Sequence, residues 1–159
     1  MHSPGLHHGR DAGQMLERHG LRHTRQRQAV LTALLATAEH PTAEELFESV
    51  RQREPGISLA TVYNTLDAFV RRGLARKLLP GSSAEAPGSP QARYDADTSD
   101  HAHLVTQDGR VRDVPEDLSR ALREHLPQEL IEAIERRMGV RVDDLRVEVR
   151  ATTLPGGAC

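Results

Sequence analysis

Three hydroxyl residues that open helices, Thr24, Thr42 and Ser58, constrain the fold of this chain more than any other feature. Thr24 precedes Ala29, Val30, Ala33 and Leu34, which recur at helical spacing and predict a helix to about Thr37. Thr42-Ala43-Glu44-Glu45 reads as a capping box, in which hydroxyl and carboxylate each satisfy a backbone N–H at the helix start. Leu46, Phe47 and Val50 form the apolar face behind it. After a turn at Pro55-Gly56, Ser58 caps a helix from Leu59 to about Arg72, with Val62, Leu66, Phe69 and Val70 inward and Gly73 as its stop. A shorter helix over Asp11–His19, closed by Gly20, precedes these.

The pattern then changes. Leu74–Leu79 and Arg93–Asp95 predict two short strands, and Pro80–Gln91 between them, rich in Gly, Ser, Ala and Pro, predicts a flexible loop. Helices followed by a two-stranded hairpin describe a winged helix-turn-helix, whose last helix can enter a DNA major groove. A second module begins near residue 96. It holds strands at His103–Thr106 and Val111–Val114 around Asp108-Gly109, then a helical stretch over Glu116–Met138. Pro127 either breaks that stretch or opens a second helix. Leu145–Ala151 alternates like a half-buried strand. The expected class is therefore α+β: a flexible N-terminus at 1–12, a winged helix at 13–95, a small α/β domain at 96–151, and a tail at 152–159.

Charge is divided along the same line. Residues 1–78 carry 11 Lys and Arg against 8 Asp and Glu, a net +3; residues 79–159 carry 10 against 15, a net −5. Two modules with different partners would produce this, and so would chance. The 3% aromatic content and absence of Trp argue against a base-stacking RNA platform. The single cysteine, Cys159, excludes an internal disulfide framework and any multi-cysteine zinc cluster within one chain. No run of about 18 apolar residues and no secretory h-region appear, so a cytoplasmic location without membrane association is expected. No P-loop, dinucleotide fingerprint or nucleophile motif is present, so no enzyme activity and no catalytic residue are expected.

Two constellations carry chemistry. Ser58, Thr61, Tyr63 and Asn64 lie near the start of the candidate recognition helix, where Thr and Tyr can bond phosphates and Asn can bond adenine edges. Arg22, Arg25 and Arg27 flank the earlier helix and can clamp the DNA backbone. An amphipathic helix with a solvated face has the same pattern. The second constellation is Asp95, then His101-Ala102-His103, then Asp113. His-x-His on extended backbone points both imidazoles to one side. Imidazoles with carboxylates and no thiolate suit Fe(II), Mn(II) or Zn(II); solvated surface histidines can also show this spacing. His40, before Pro41-Thr42, reads on its own as a helix-end cap.

The strings HPTAEELFESV, PGISLATVYNTLDAFVRRGLARKL and RYDADTSDHAHLV…GRVRD, in this order and spacing, resemble the ferric uptake regulator (Fur) family over residues 15 to about 115. The resemblance implies a homodimeric, metal-dependent transcription repressor that binds double-stranded DNA at an AT-rich inverted repeat. It implies a winged helix joined to a dimerisation domain, and one regulatory site per subunit built from His40, Asp95, His101, His103 and Asp113. It also implies Fe2+ or Mn2+ as the ion, with Zn2+ able to occupy the site in vitro. Asp113, Asn64 and the string TSDHAH are similar to the peroxide-sensing PerR branch. There the signal is metal-catalysed oxidation of a ligand histidine. An iron- or manganese-responsive regulator without redox sensing is the alternative. The chain departs from the family where structural-zinc cysteine pairs belong: Thr106-Gln107-Asp108-Gly109 stands at the first, and only Cys159 remains of the second. Leu118, Leu122, Leu126, Leu130, Ile131 and Ile134 are expected to stabilise the dimer instead.

Overall fold

The computed structural model describes residues 8–78, 91–143 and 145–152. The expectations for the N-terminal residues 1–7, for nearly all of the Pro80–Gln91 loop and for the tail with Cys159 lie outside the described residues. The chain divides into two compact units, the first ending at Thr98 and the second beginning at Ser99.

In the first unit α1 is His8–Arg18, α2 Arg25–Leu35, α3 Ala43–Arg51 and α4 Leu59–Arg71, followed by β1 Arg76–Leu78 and β2 Arg93–Asp95. The caps act as the sequence predicts. Thr24 accepts from Arg27 N–H and Ser58 from Thr61 N–H, and the Thr42/Glu45 box is closed in both directions. Gly20 and Gly73 take φ of 67° and 69°, a conformation that costs glycine little. Beyond them Leu21 N–H bonds Leu16 O and Leu74 N–H bonds Phe69 O, each at 2.8 Å, closing α1 and α4 with the same hydrogen-bonded motif. α1 starts at His8, three residues before the expected Asp11. Leu16, Val30, Leu31, Val62, Leu66, Phe69 and Tyr94 are fully buried together, each stabilising the unit by about 1.5–3 kcal/mol. β1 and β2 pair antiparallel with Lys77 opposite Tyr94. β1 is shorter than the expected Leu74–Leu79 because Leu74 and Ala75 still belong to the turn after α4.

The second unit contains β3 His103–Thr106, β4 Val111–Asp113, α5 Glu116–Glu124, α6 Gln128–Met138 and β5 Glu148–Ala151. β3 is central, antiparallel to β4 and parallel to β5. The parallel pairing requires the chain to cross over, which α5 and α6 accomplish. Pro127 sits at the N-cap of α6 and opens a second helix. Of the two readings left open at Pro127, the structure shows the second, two separate helices, since proline has no N–H to bond into the preceding turn. β5 begins at Glu148 rather than Leu145. Leu118, Leu122, Leu130, Ile134, Leu145 and Val149 remain exposed in the single chain.

Candidate metal centre and nucleic-acid interface

The expected metal ligands fall into two sets, one in each unit. In the first, the turn before α3 runs against β2. Tyr94 N–H bonds Pro41 O at 3.0 Å, and Thr42 pairs with Arg93 as an isolated antiparallel bridge. That pairing sets His40 beside Asp95, with His40 Nδ1 3.5 Å from Asp95 Oδ1 and both residues buried. Asp95 Oδ1 also accepts Asp97 N–H at 2.7 Å, which fixes the carboxylate.

In the second unit, Asp113 on β4 lies directly opposite His103 on β3, so the two side chains share a face. Asp113 Oδ1 is 2.8 Å from His101 Nε2 and 3.7 Å from His103 Nε2. The two imidazole centroids are 4.4 Å apart, the same-side arrangement that the His-x-His spacing predicts. His101 Nδ1 is 2.9 Å from Ser99 O. A carbonyl only accepts, so Nδ1 donates to Ser99 and Nε2 is the ring nitrogen turned toward Asp113. Ser119, fully buried on α5, accepts Ala102 N–H at 2.7 Å, and Ala102 O accepts Val114 N–H at 2.9 Å. The residue between the two histidines is therefore held on both sides. Each of the five residues offers one nitrogen or carboxylate ligand atom, and a donor set of this hardness fits Fe(II), Mn(II) or Zn(II).

The expected DNA-contacting residues all lie in the first unit. Tyr63 and Asn64 are exposed on α4. Tyr63 OH donates to Glu44 Oε1 on α3 at 2.5 Å. This bond pushes the phenol up to about 12, with burial adding to it, and holds the Glu44 carboxyl below its ordinary range. Ser58 is occupied by the cap, and its hydroxyl oxygen lies 2.9 Å from that of Thr61. Arg25 Nε donates to Glu54 at 2.6 Å, while Arg22 is exposed and its carbonyl accepts from Arg27.

A model of the ferric uptake regulator family matches residues 18–141. The chain belongs to that family. It is similar to the peroxide-responsive repressor PerR of Staphylococcus epidermidis, 35% identical over 92 residues that make up 58% of this chain and 57% of the relative. The matched stretch thus spans less than two thirds of that relative. Its structure is similar to that of a zinc-bound manganese uptake regulator, with a TM-score of 0.63 and 26% identity over 90% of this chain and 98% of the other. It is also similar to the peroxide stress regulator of Campylobacter jejuni, with a TM-score of 0.61 and 28% identity over 91% and 97%.

The fold of this Fur-family chain is accordingly a winged helix followed by a smaller α/β domain. Three residues that bear on its candidate sites escaped the sequence reading. Ser119, on the helical stretch among Leu118, Ala121 and Leu122, was not singled out. Glu44 was read only as part of the capping segment, although the helical offset between α3 and α4 turns it toward Tyr63. Arg93 was read only as a strand residue. None carries a local signal, because each acts through a partner distant in sequence or through a backbone group.

Proposed function

We propose that this chain is a metal-dependent, DNA-binding transcriptional repressor that senses peroxide through oxidation of a ligand histidine. It acts in the cytoplasm as a homodimer on an AT-rich inverted repeat. The observation that supports this reading is a pair of hard donor sets, one in each unit: His40 beside Asp95 in the first, and His101, His103 and Asp113 in the second. A single ion engaging both sets would fix the winged helix relative to the second domain, so metal affinity and DNA affinity would be linked. Fe2+ or Mn2+ in one regulatory site per subunit is the proposed cofactor, and Zn2+ fits the same donors in vitro. The chain holds one cysteine, so dimerisation is assigned to apolar burial of Leu118, Leu122 and Val149 rather than to a four-cysteine zinc.

Thr61, Tyr63 and Asn64 are the proposed base- and backbone-reading groups, with Arg22 and Arg25 on phosphate and Ser58 holding the helix start. Bound Fe(II) would supply the electron that activates hydrogen peroxide beside the imidazoles. His40 and His101 hold oxidisable ring carbons among the proposed ligands. Peroxide is the two-electron oxidant: its O–O bond breaks, one oxygen replaces the hydrogen on a ring carbon and the other leaves as water, and a ring so changed would bind the ion less well and uncouple the domains.

The test is DNA binding by the Fe(II)- and Mn(II)-loaded protein before and after brief peroxide exposure, with mass spectrometry of the His40 and His101 peptides. One added oxygen on either peptide with Fe(II) and not with Mn(II), together with release from DNA, is expected. Binding that follows metal but ignores peroxide identifies an iron- or manganese-responsive regulator instead, a reading that the same donors and the likeness to a manganese uptake regulator support.

A further inference from the structure

The two proposed ligands in the winged helix come from different elements, and one side chain joins those elements. Arg93 precedes Asp95 by two residues on β2. Its guanidinium donates from one NH2 group to His40 O at 2.8 Å and to Glu45 Oε2 at 3.2 Å. Glu45 Oε2 in turn accepts Thr42 N–H at 2.8 Å in the capping box of α3. The Arg93 side chain is largely buried, at 15% exposure. Few long cationic side chains are held so far from water without a structural reason.

We propose that Arg93 is a positioning residue for the His40–Asp95 half of the metal centre, pinning the His40 backbone to β2 and to the first turn of α3. The inference rests on the proposed metal-binding reading. Its physical content is as follows. His40 precedes Pro41, and its backbone lies outside any helix or strand ladder, so the turn by itself leaves the imidazole free to drift from Asp95. The Tyr94–Pro41 hydrogen bond fixes one side of that turn. Arg93 fixes the other by occupying the His40 carbonyl, and Glu45 compensates its charge. Partners that orient metal ligands without touching the ion typically change affinity 10–100-fold when removed.

The test is a titration of the full-length apoprotein with Co(II) alone, followed by its visible absorption, for wild type, Arg93→Gln and Arg93→Lys. Thermal unfolding of each apoprotein runs in parallel. Arg93→Gln is expected to weaken Co(II) binding by about 10–100-fold and to change the shape of the absorption band. Arg93→Lys, which keeps a cationic donor in reach of both oxygens, is expected to recover most of the affinity and the band. If wild type itself shows no Co(II) band, the metal-binding reading fails. If wild type binds and Arg93→Gln binds equally well, the positioning role is overturned. It is also overturned if both variants lose affinity equally with the band unchanged, since that is general destabilisation. Should Arg93→Gln not fold, Glu45→Gln, which removes the carboxylate that holds the guanidinium, decides: weaker Co(II) binding with an altered band and a retained unfolding midpoint supports the proposal, and wild-type affinity overturns it.

Discussion

Tyr63 on α4 and Glu44 on α3 are joined by a 2.5 Å hydrogen bond from phenol to carboxylate. A side chain on the exposed face of the candidate recognition helix is therefore held in one orientation before any DNA arrives. On the proposed DNA-binding reading, Tyr63, whose proton is donated to Glu44, would meet DNA through its ring rather than as a phosphate donor. On the same reading the carboxylate beside it would repel phosphates, favouring a fixed docking register over loose association.

The pair predicts a pH response with a definite sign. Tyr63 is raised from 10.0 to about 12 and Glu44 is lowered from 4.5. The Tyr63 contribution to stability is complete below pH 10 and is lost as pH rises from 10 to about 12. The Glu44 contribution is present above pH 4.5 and is lost as pH falls through its lower folded value. Alkaline titration of phenolate absorbance should show no tyrosine ionising at its ordinary value in the wild type, because Tyr94 is also pushed up by burial. Glu44→Gln should return one tyrosine toward 10. A wild-type phenolate midpoint at 10 contradicts the bond.

Asn64→Ala should relax base preference by about 1–3 kcal/mol at one position per half-site, while Arg25→Ala weakens all sequences alike. Since Glu54 competes for Arg25, Glu54→Gln should strengthen binding to every sequence. Binding of randomised duplexes at several salt concentrations separates the two effects. An unchanged preference matrix for Asn64→Ala removes it from the reading face.

His40→Ala should fold and dimerise but lose metal-stimulated DNA binding, because only Asp95 would then remain as a first-unit ligand. Electrophoretic shifts with and without Mn(II), beside light scattering, measure both properties. Undiminished stimulation places the ion elsewhere.

Ser119→Ala leaves the buried Ala102 N–H without its acceptor and should destabilise the protein by about 1–3 kcal/mol. Urea unfolding of the apoprotein reads this directly. A midpoint equal to wild type would show that another group, or water, reaches that N–H.

Chelation should strip the regulatory ion and leave dimers intact, while Leu122→Asp should yield monomers, since Leu118, Leu122 and Val149 line an apolar pocket of about 580 Å³ on the second unit. Light scattering distinguishes the outcomes. Monomers on chelation alone would assign the dimer to metal.

Local chemistry made much of this protein legible in its sequence. Thr24, Thr42, Ser58, Gly20 and Gly73 set helix ends through bonds to residues within a turn of themselves, so their pattern needs no tertiary context. The His101-x-His103 pair is of the same kind, because backbone alternation alone puts both rings on one side. Only tertiary structure decided the rest. His40 meets Asp95 because the Pro41 turn docks on β2, and Arg93 and Ser119 act on the backbone at His40 and Ala102, contacts with no sequence periodicity. The break at Pro127 was open between two readings until the crossover from β4 to β5 required two short helices. Tyr63 gained its Glu44 partner from the packing of α3 on α4. Interactions within one turn are fixed by the order of residues, whereas those between elements depend on how apolar faces pack, and that is a property of the whole core.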